Sequence, residues 1–142
     1  MLTDLVSGFP RLVDDGYNRT SLPTIAYNCV AWAFGDQTKW WEPDVFGLFH
    51  WPCAERQYTV QAYEALAKSQ GYKKCSNGDL EPGFDKIAIY AANNQPKHIA
   101  RQLQDGRWTS KLGDLDDITH TLSGIKAPGY GEPVRFLKRP KP

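Results

Sequence analysis

Asp105-Gly106 is the strongest constraint on how this chain folds, because it joins two strand-like runs that must then lie side by side. His98-Ile99-Ala100-Arg101-Gln102-Leu103 precedes it and Arg107-Trp108-Thr109-Ser110-Lys111 follows. Asp-Gly between such runs is a hairpin signal, since glycine takes the positive φ that a tight turn needs. Two registers are open. In a two-residue turn Gln104 pairs with Arg107, and Lys111 joins the face of His98. In a three-residue loop, with Gly106 in the left-handed bulge position, Leu103 pairs with Arg107. Ala100 then faces Ser110, and Trp108, Ser110 and Leu112 share the face of His98 and Gln102.

The rest of the chain arranges itself around that hairpin. Lys86-Ile87-Ala88-Ile89-Tyr90 alternates as a strand, and a polar turn from Asn93 to Lys97 leads into the His98 strand. Thr59 caps the clearest helix, with Val60, Tyr63, Leu66 and Ala67 on one face and Gly71 as its stop. A shorter helix runs from Asn28 to about Phe34 and ends at Gly35. Residues 38–57 hold Trp40, Trp41, Phe46, Phe49 and Trp51 without periodicity and read as a long loop. A short helix is predicted over Leu115–Leu122 and a last strand over Val134–Leu137. Residues 1–24 read as an irregular N-terminal wrap, and 138–142 as a basic tail. Helices first and an antiparallel sheet after them make an α+β chain.

With 142 residues, a single domain spanning 1–142 is expected, large enough to bury a core without staples. Seventeen basic against 16 acidic residues give a net charge of +1, which offers no electrostatic basis for nucleic-acid or membrane-surface partners. Cys29, Cys53 and Cys75 are an odd set without CxxC spacing, so neither a disulfide framework nor a zinc knuckle is expected. The N-terminus lacks a basic region followed by an apolar stretch. The expected location is therefore cytoplasmic, with export by another route left open.

The chemistry points to Cys29. It sits in Tyr27-Asn28-Cys29-Val30-Ala31-Trp32-Ala33, at the first turn of the short helix. There the helix dipole and free backbone N–H groups favour thiolate, so its pKa should fall below the free value of about 8.5. His98 heads a distant strand. A cysteine on a helix start and a histidine on a later strand make a thiol nucleophile and its base. Tyr27 or Asn28 would donate to an oxyanion with the Cys29 N–H; Asn28 equally fits a helix N-cap. Gln102 either points into the site or packs beneath it. Trp40 and Trp41 belong either to a substrate wall or to a cover over the core. His120 reads as a helix-end histidine and is the reserve base. His50, between Phe49 and Trp51, reads as packing, and Cys53 and Cys75 as structural thiols.

A resemblance rests on these residues. Leu80-Glu81-Pro82-Gly83-Phe84-Asp85 entering the Lys86 strand, the His98-headed strand, the Asp105-Gly106 hairpin and Ser110 on the returning strand resemble the core of the NlpC-like cysteine hydrolases. Asn28-Cys29-Val30-Ala31-Trp32-Ala33, His98-Ile99-Ala100-Arg101-Gln102 and Trp108-Thr109-Ser110-Lys111-Leu112-Gly113 also look like an uncharacterised bacterial domain family near that superfamily. The cell-wall relatives usually carry Asp-Cys-Ser-Gly at the nucleophile and a histidine where this chain has Ser110. The resemblance implies a papain-like fold, with the nucleophile helix packed on an antiparallel sheet. It also favours the three-residue hairpin, which puts Ser110 beside His98 as its orienter. The expected activity is hydrolysis of an amide bond in a peptide-like or protein substrate, peptidoglycan included, with no metal and no cofactor. Deamidation or acyl transfer on the same fold is one alternative. The other is a non-catalytic binding or immunity-type module that uses the aromatic loop.

Overall fold

The computed structural model describes residues 9–20, 26–112, 117–127 and 130–142. In chain order its elements are α1 (Arg11–Asp15), β1 (Tyr17–Arg19), α2 (Cys29–Ala33), α3 (Val60–Ser69), β2 (Lys73–Cys75), β3 (Phe84–Ala92), β4 (Gln95–Gln102), β5 (Trp108–Lys111), β6 (Asp117–His120) and β7 (Glu132–Pro140). The strands form one seven-stranded sheet in the order β1-β6-β5-β4-β3-β7-β2. All the neighbouring pairs are antiparallel.

β3 organises the two faces. Ile87 and Ile89 point to one side, with Ile99 of β4 and Leu137 of β7, and meet the core residues of α2 and α3. Ala88 and Tyr90 point to the other, with Ala100, Trp108 and Ile118, and are covered by Phe9, Leu12 of α1 and Ile125. A strand buried on both faces has no polar side to show, which is why Ile87 to Ala91 carries no charged residue and its one hydroxyl, on Tyr90, is bonded to Leu122 O. α3 is fixed at its start by the Thr59 hydroxyl, which accepts from Ala62 N at 3.0 Å. The helix lays Tyr63, Leu66 and Ala67 on the first face. Full burial of a side chain such as Leu66 contributes about 1.5–3 kcal/mol.

Two turns set the register of the central strands. Asn93 and Asn94, at φ 52° and 65°, form the two-residue connection between Ala92 and Gln95. Positive φ at both central positions matches the right-handed twist of the strands. The sequence places a longer turn here, to Lys97; the strand instead begins at Gln95. At the next hairpin Leu103 N donates to Arg107 O at 2.7 Å and Gly106 has φ 90°. This is the three-residue loop, and Arg101 faces Thr109 across it.

The expected papain-like α+β architecture is not found. α1 and α2 have five residues each and α3 has ten, against seven strands in one sheet, so the fold is dominated by the sheet. Three segments account for the difference. Tyr17–Arg19, read as irregular wrap, pairs with β6. Lys73–Cys75 adds an edge strand on β7. Asp117–His120, read as part of a helix, is a strand on β5. Segments of three or four residues carry too little periodicity to declare themselves, and pairing with a preformed neighbour decides their state. Within the expected wrap, 9–20 holds α1 and β1, whereas 1–8 and 21–25 lie outside the described residues, as do Leu115 and Asp116 of the expected helix. Lys138–Pro140 of the expected basic tail belongs to β7.

Candidate functional site

Cys29 opens α2, as its sequence implies. Asn28 is the N-cap, its Oδ1 accepting from Ala31 N at 3.2 Å and from Trp41 N at 3.1 Å, while its Nδ2 donates to Trp41 O at 2.7 Å. These bonds fill both acceptor positions of Oδ1 and one of the two N–H donors of Nδ2, so Asn28 is a cap and a strut for the aromatic loop. α2 lies over β4 and β5. Trp32 Nε1 donates to Thr109 Oγ1 at 3.0 Å, which fixes the helix on the face carrying Ile99, Arg101, Thr109 and Lys111.

His98 is not on that face. It alternates with Ile99 and shares the opposite side with Ala100, bonded to Ser110 and packed against Tyr90 and Tyr130. The expected Cys29–His98 dyad is therefore not assembled: the β4 backbone stands between the two side chains. The alternation of a strand imposes this once Ile99 has been claimed by the α2 face.

On the side of Cys29 lies a buried polar group, of which Lys111 acts on the thiol through its charge. Lys111 and Asp117, 0% and 1% exposed, face each other across β5 and β6. The Tyr27 hydroxyl donates to Asp117 Oδ2 at 2.5 Å, and Lys111 Nζ stands 5.6 Å from the Tyr27 ring centre. Tyr27 also stacks on Trp32. Cys29 is half-buried, and burial pushes its thiol up to about 11. Backbone N–H groups of Ile99, Val30 and Cys29 and the Lys111 cation work the other way and favour thiolate. The expected depressed pKa is thus overturned, because desolvation outweighs the helix start.

The other face carries a chain of hydrogen bonds. His98 Nε2 is 2.8 Å from Ser110 Oγ, and Ser110 Oγ is 2.7 Å from His120 Nε2. His120 Nδ1 is 2.6 Å from Thr121 O. A carbonyl only accepts, so His120 donates from Nδ1 and its Nε2 accepts the Ser110 proton. The Ser110 oxygen in turn accepts from His98 Nε2–H. His98 Nδ1 is left as a buried acceptor without a partner among the described residues. Burial, and then His120, hold His98 well below the usual imidazole range, and burial takes His120 down to about 4. Both rings are neutral near pH 7. Ser110 is hydrogen-bonded to His98, the neighbour that the three-residue hairpin implies, and His120 joins the same network.

The remaining candidates lie as follows. Gln102, on the His98 face, donates to Gly78 O at 2.7 Å and ties β4 to a loop. Trp41 is buried, stacks on Phe34 and donates to Asp36. Trp40 is half-buried and donates to Glu42. His50 packs edge-on against Trp41. Cys53 and Cys75 are free thiols bonded to Ala65 O and Asn77 O. Among the described residues no three His, Cys, Asp or Glu side chains converge as a metal site, and no helix is long and apolar enough to cross a membrane. Lys111 and Asp117 were missed as site residues. Strand alternation carries their signal: if Ser110 shares the His98 face, Lys111 must face the other way.

A family model described as a domain of unknown function, DUF7689, matches residues 18–138. The chain belongs to the DUF7689 family. The DUF7689 match takes in both buried clusters, from Tyr27 and Cys29 to His120. Comparisons with curated proteins and with solved structures gave no match.

Proposed function

We propose that the chain is a thiol-dependent enzyme acting on an amide or related acyl bond, with Cys29 as nucleophile and Lys111, not His98, as its charged partner. The observation that supports it is convergence. A thiol at a helix start, three backbone N–H groups, a buried lysine and a buried Tyr27–Asp117 pair share one side of the sheet. Buried ionisable groups on the same side as a cysteine are costly to keep and concentrate at functional sites. Sγ adds to the carbonyl carbon, the amine leaves with the thiol proton, and a thioester remains. Water then returns the thiol and an acid; an amine in place of water completes acyl transfer, and a side-chain amide as substrate makes the reaction a deamidation. Peptide-like or protein substrates follow from the expected hydrolase chemistry.

The test is acylation with p-nitrophenyl acetate and with peptide p-nitroanilides, with adducts mapped by peptide mass. An acyl group on Cys29 that forms faster as pH rises, and more slowly in folded Lys111→Gln, supports the reading. Absence of any Cys29 adduct or Cys29-dependent turnover overturns it.

One observation favours a second reading, a binding module. Val45, Phe46 and Leu48 are 78%, 83% and 77% exposed at the tip of the aromatic loop. The tip is braced: Asp44 accepts from Leu48 N and Phe49 N, and Arg56 donates to Asp44 O and Phe49 O. Rigid, exposed apolar side chains mark contact surfaces. Under this reading Phe46→Ser abolishes partner capture and Cys29→Ala leaves it intact.

A further inference from the structure

At the end of the sheet, where β3 begins, β4 ends and the chain leaves β7, lies an open cavity of about 770 Å³ whose walls include Phe84, Asp85, Arg101, Leu103, Asp105 and Lys141. Its size suits a small molecule or one end of a peptide. Its charges are unevenly spent. Asp85 faces Arg139 at 3.8 Å and Asp105 faces Arg107 at 2.8 Å, so each carboxylate has its own arginine. Arg101 has none. Among the described residues no carboxylate reaches ion-pair distance of it, and its Nε is shut off from solvent without a hydrogen-bond partner. The guanidinium lies over Trp32, its Cζ 5.3 Å from the ring centre. A half-buried guanidinium with no carboxylate beside it among the described residues is costly unless an anion completes it. Its contact with the aromatic ring also limits the freedom that the guanidinium would lose on pairing with an oxyanion.

We infer that this cavity binds a carboxylate, held by Arg101 and assisted by Lys141, on a ligand whose apolar body lies against Phe84 and Leu103. A singly charged carboxylate fits better than a phosphate dianion, because Asp85 and Asp105 stand in the same walls and repel the extra charge. Cys29 is not among the residues of these walls, and the inference does not depend on how that thiol reacts.

The test titrates the full chain with N-acetyl-phenylalanine, benzoate and succinate, with N-acetyl-phenylalaninamide and inorganic phosphate as comparators. The reporter is the Arg101 Nε–H resonance, identified by its absence in Arg101→Lys. The expected result is saturable binding of at least one carboxylate that shifts this resonance. The amide and phosphate should bind about tenfold more weakly or worse, and folded Arg101→Gln should lose about tenfold or more. The acid/amide comparison needs no variant, so it decides even if Arg101→Gln fails to fold. Equal binding of acid and amide, tighter binding of phosphate, or no carboxylate binding below about 10 mM overturns the inference.

Discussion

His98 Nε2 and Ser110 Oγ are 2.8 Å apart on the side of the sheet that α2 does not cover. Ser110 is the sole bridge between two buried imidazoles in this chain of bonds, accepting from one and donating to the other. Ser110→Ala should leave two buried ring nitrogens unsatisfied and cost about 2–4 kcal/mol. Urea unfolding measures it. A loss below about 0.5 kcal/mol would mean that the network contributes little.

Acid should unfold the protein through the same network. His98 and His120 are depressed in the fold relative to the unfolded chain. The unfolded state therefore binds more protons below about pH 6.5, and stability falls with pH from there. For His120 the loss runs down to its folded value of about 4. The melting temperature should drop across that window, and His120→Gln should flatten the slope. An identical slope in folded His120→Gln would remove His120 from the explanation.

Gly131 and Gly35 both have positive φ, 72° and 82°, but differ in what a side chain would meet. A Cβ at Gly131 would come within 2.1 Å of Ala91 O, in the β3 backbone, whereas at Gly35 it would meet open space. Gly35→Ala should cost about 1 kcal/mol from backbone strain alone. Gly131→Ala should cost more than about 3 kcal/mol or prevent folding. Thermal melts of the two variants check the order.

Asn28→Ala removes a helix cap and two bonds to Trp41 together. A loss of about 2–4 kcal/mol is expected. Amide exchange should rise along 38–51 as well as in α2, because the aromatic loop hangs on the same side chain. Exchange confined to α2 would show that the loop is held by other contacts.

Much of the sheet's centre was legible. Asp105-Gly106 declared the hairpin but left two registers open, the resemblance favouring the one found; Thr59 and Gly71 bracketed α3, and Ile87 to Tyr90 read as a strand, because each of those marks is local. The pairing of Cys29 with His98 was not local. Strand alternation says that His98 and Ile99 point opposite ways, but not which of them α2 will cover. Ile99 and Thr109 decide that by offering α2 an apolar seat and a partner for Trp32, a choice visible only after packing. Asp117–His120 failed for a related reason: its strand state comes from β5 beside it, not from its own four residues. The fold inferred by resemblance fell with these short strands.

The ionisation of Cys29 tests the central claim most directly. Its alkylation rate is to be followed against pH by mass mapping in the wild type and in folded Lys111→Gln and His98→Gln. The thiol should titrate near 11, shift higher when Lys111 is replaced, and stay where it is when His98 is replaced. A Cys29 pKa at or below about 8.5 that rises on loss of His98 would contradict the separation of the two residues and restore them as a pair.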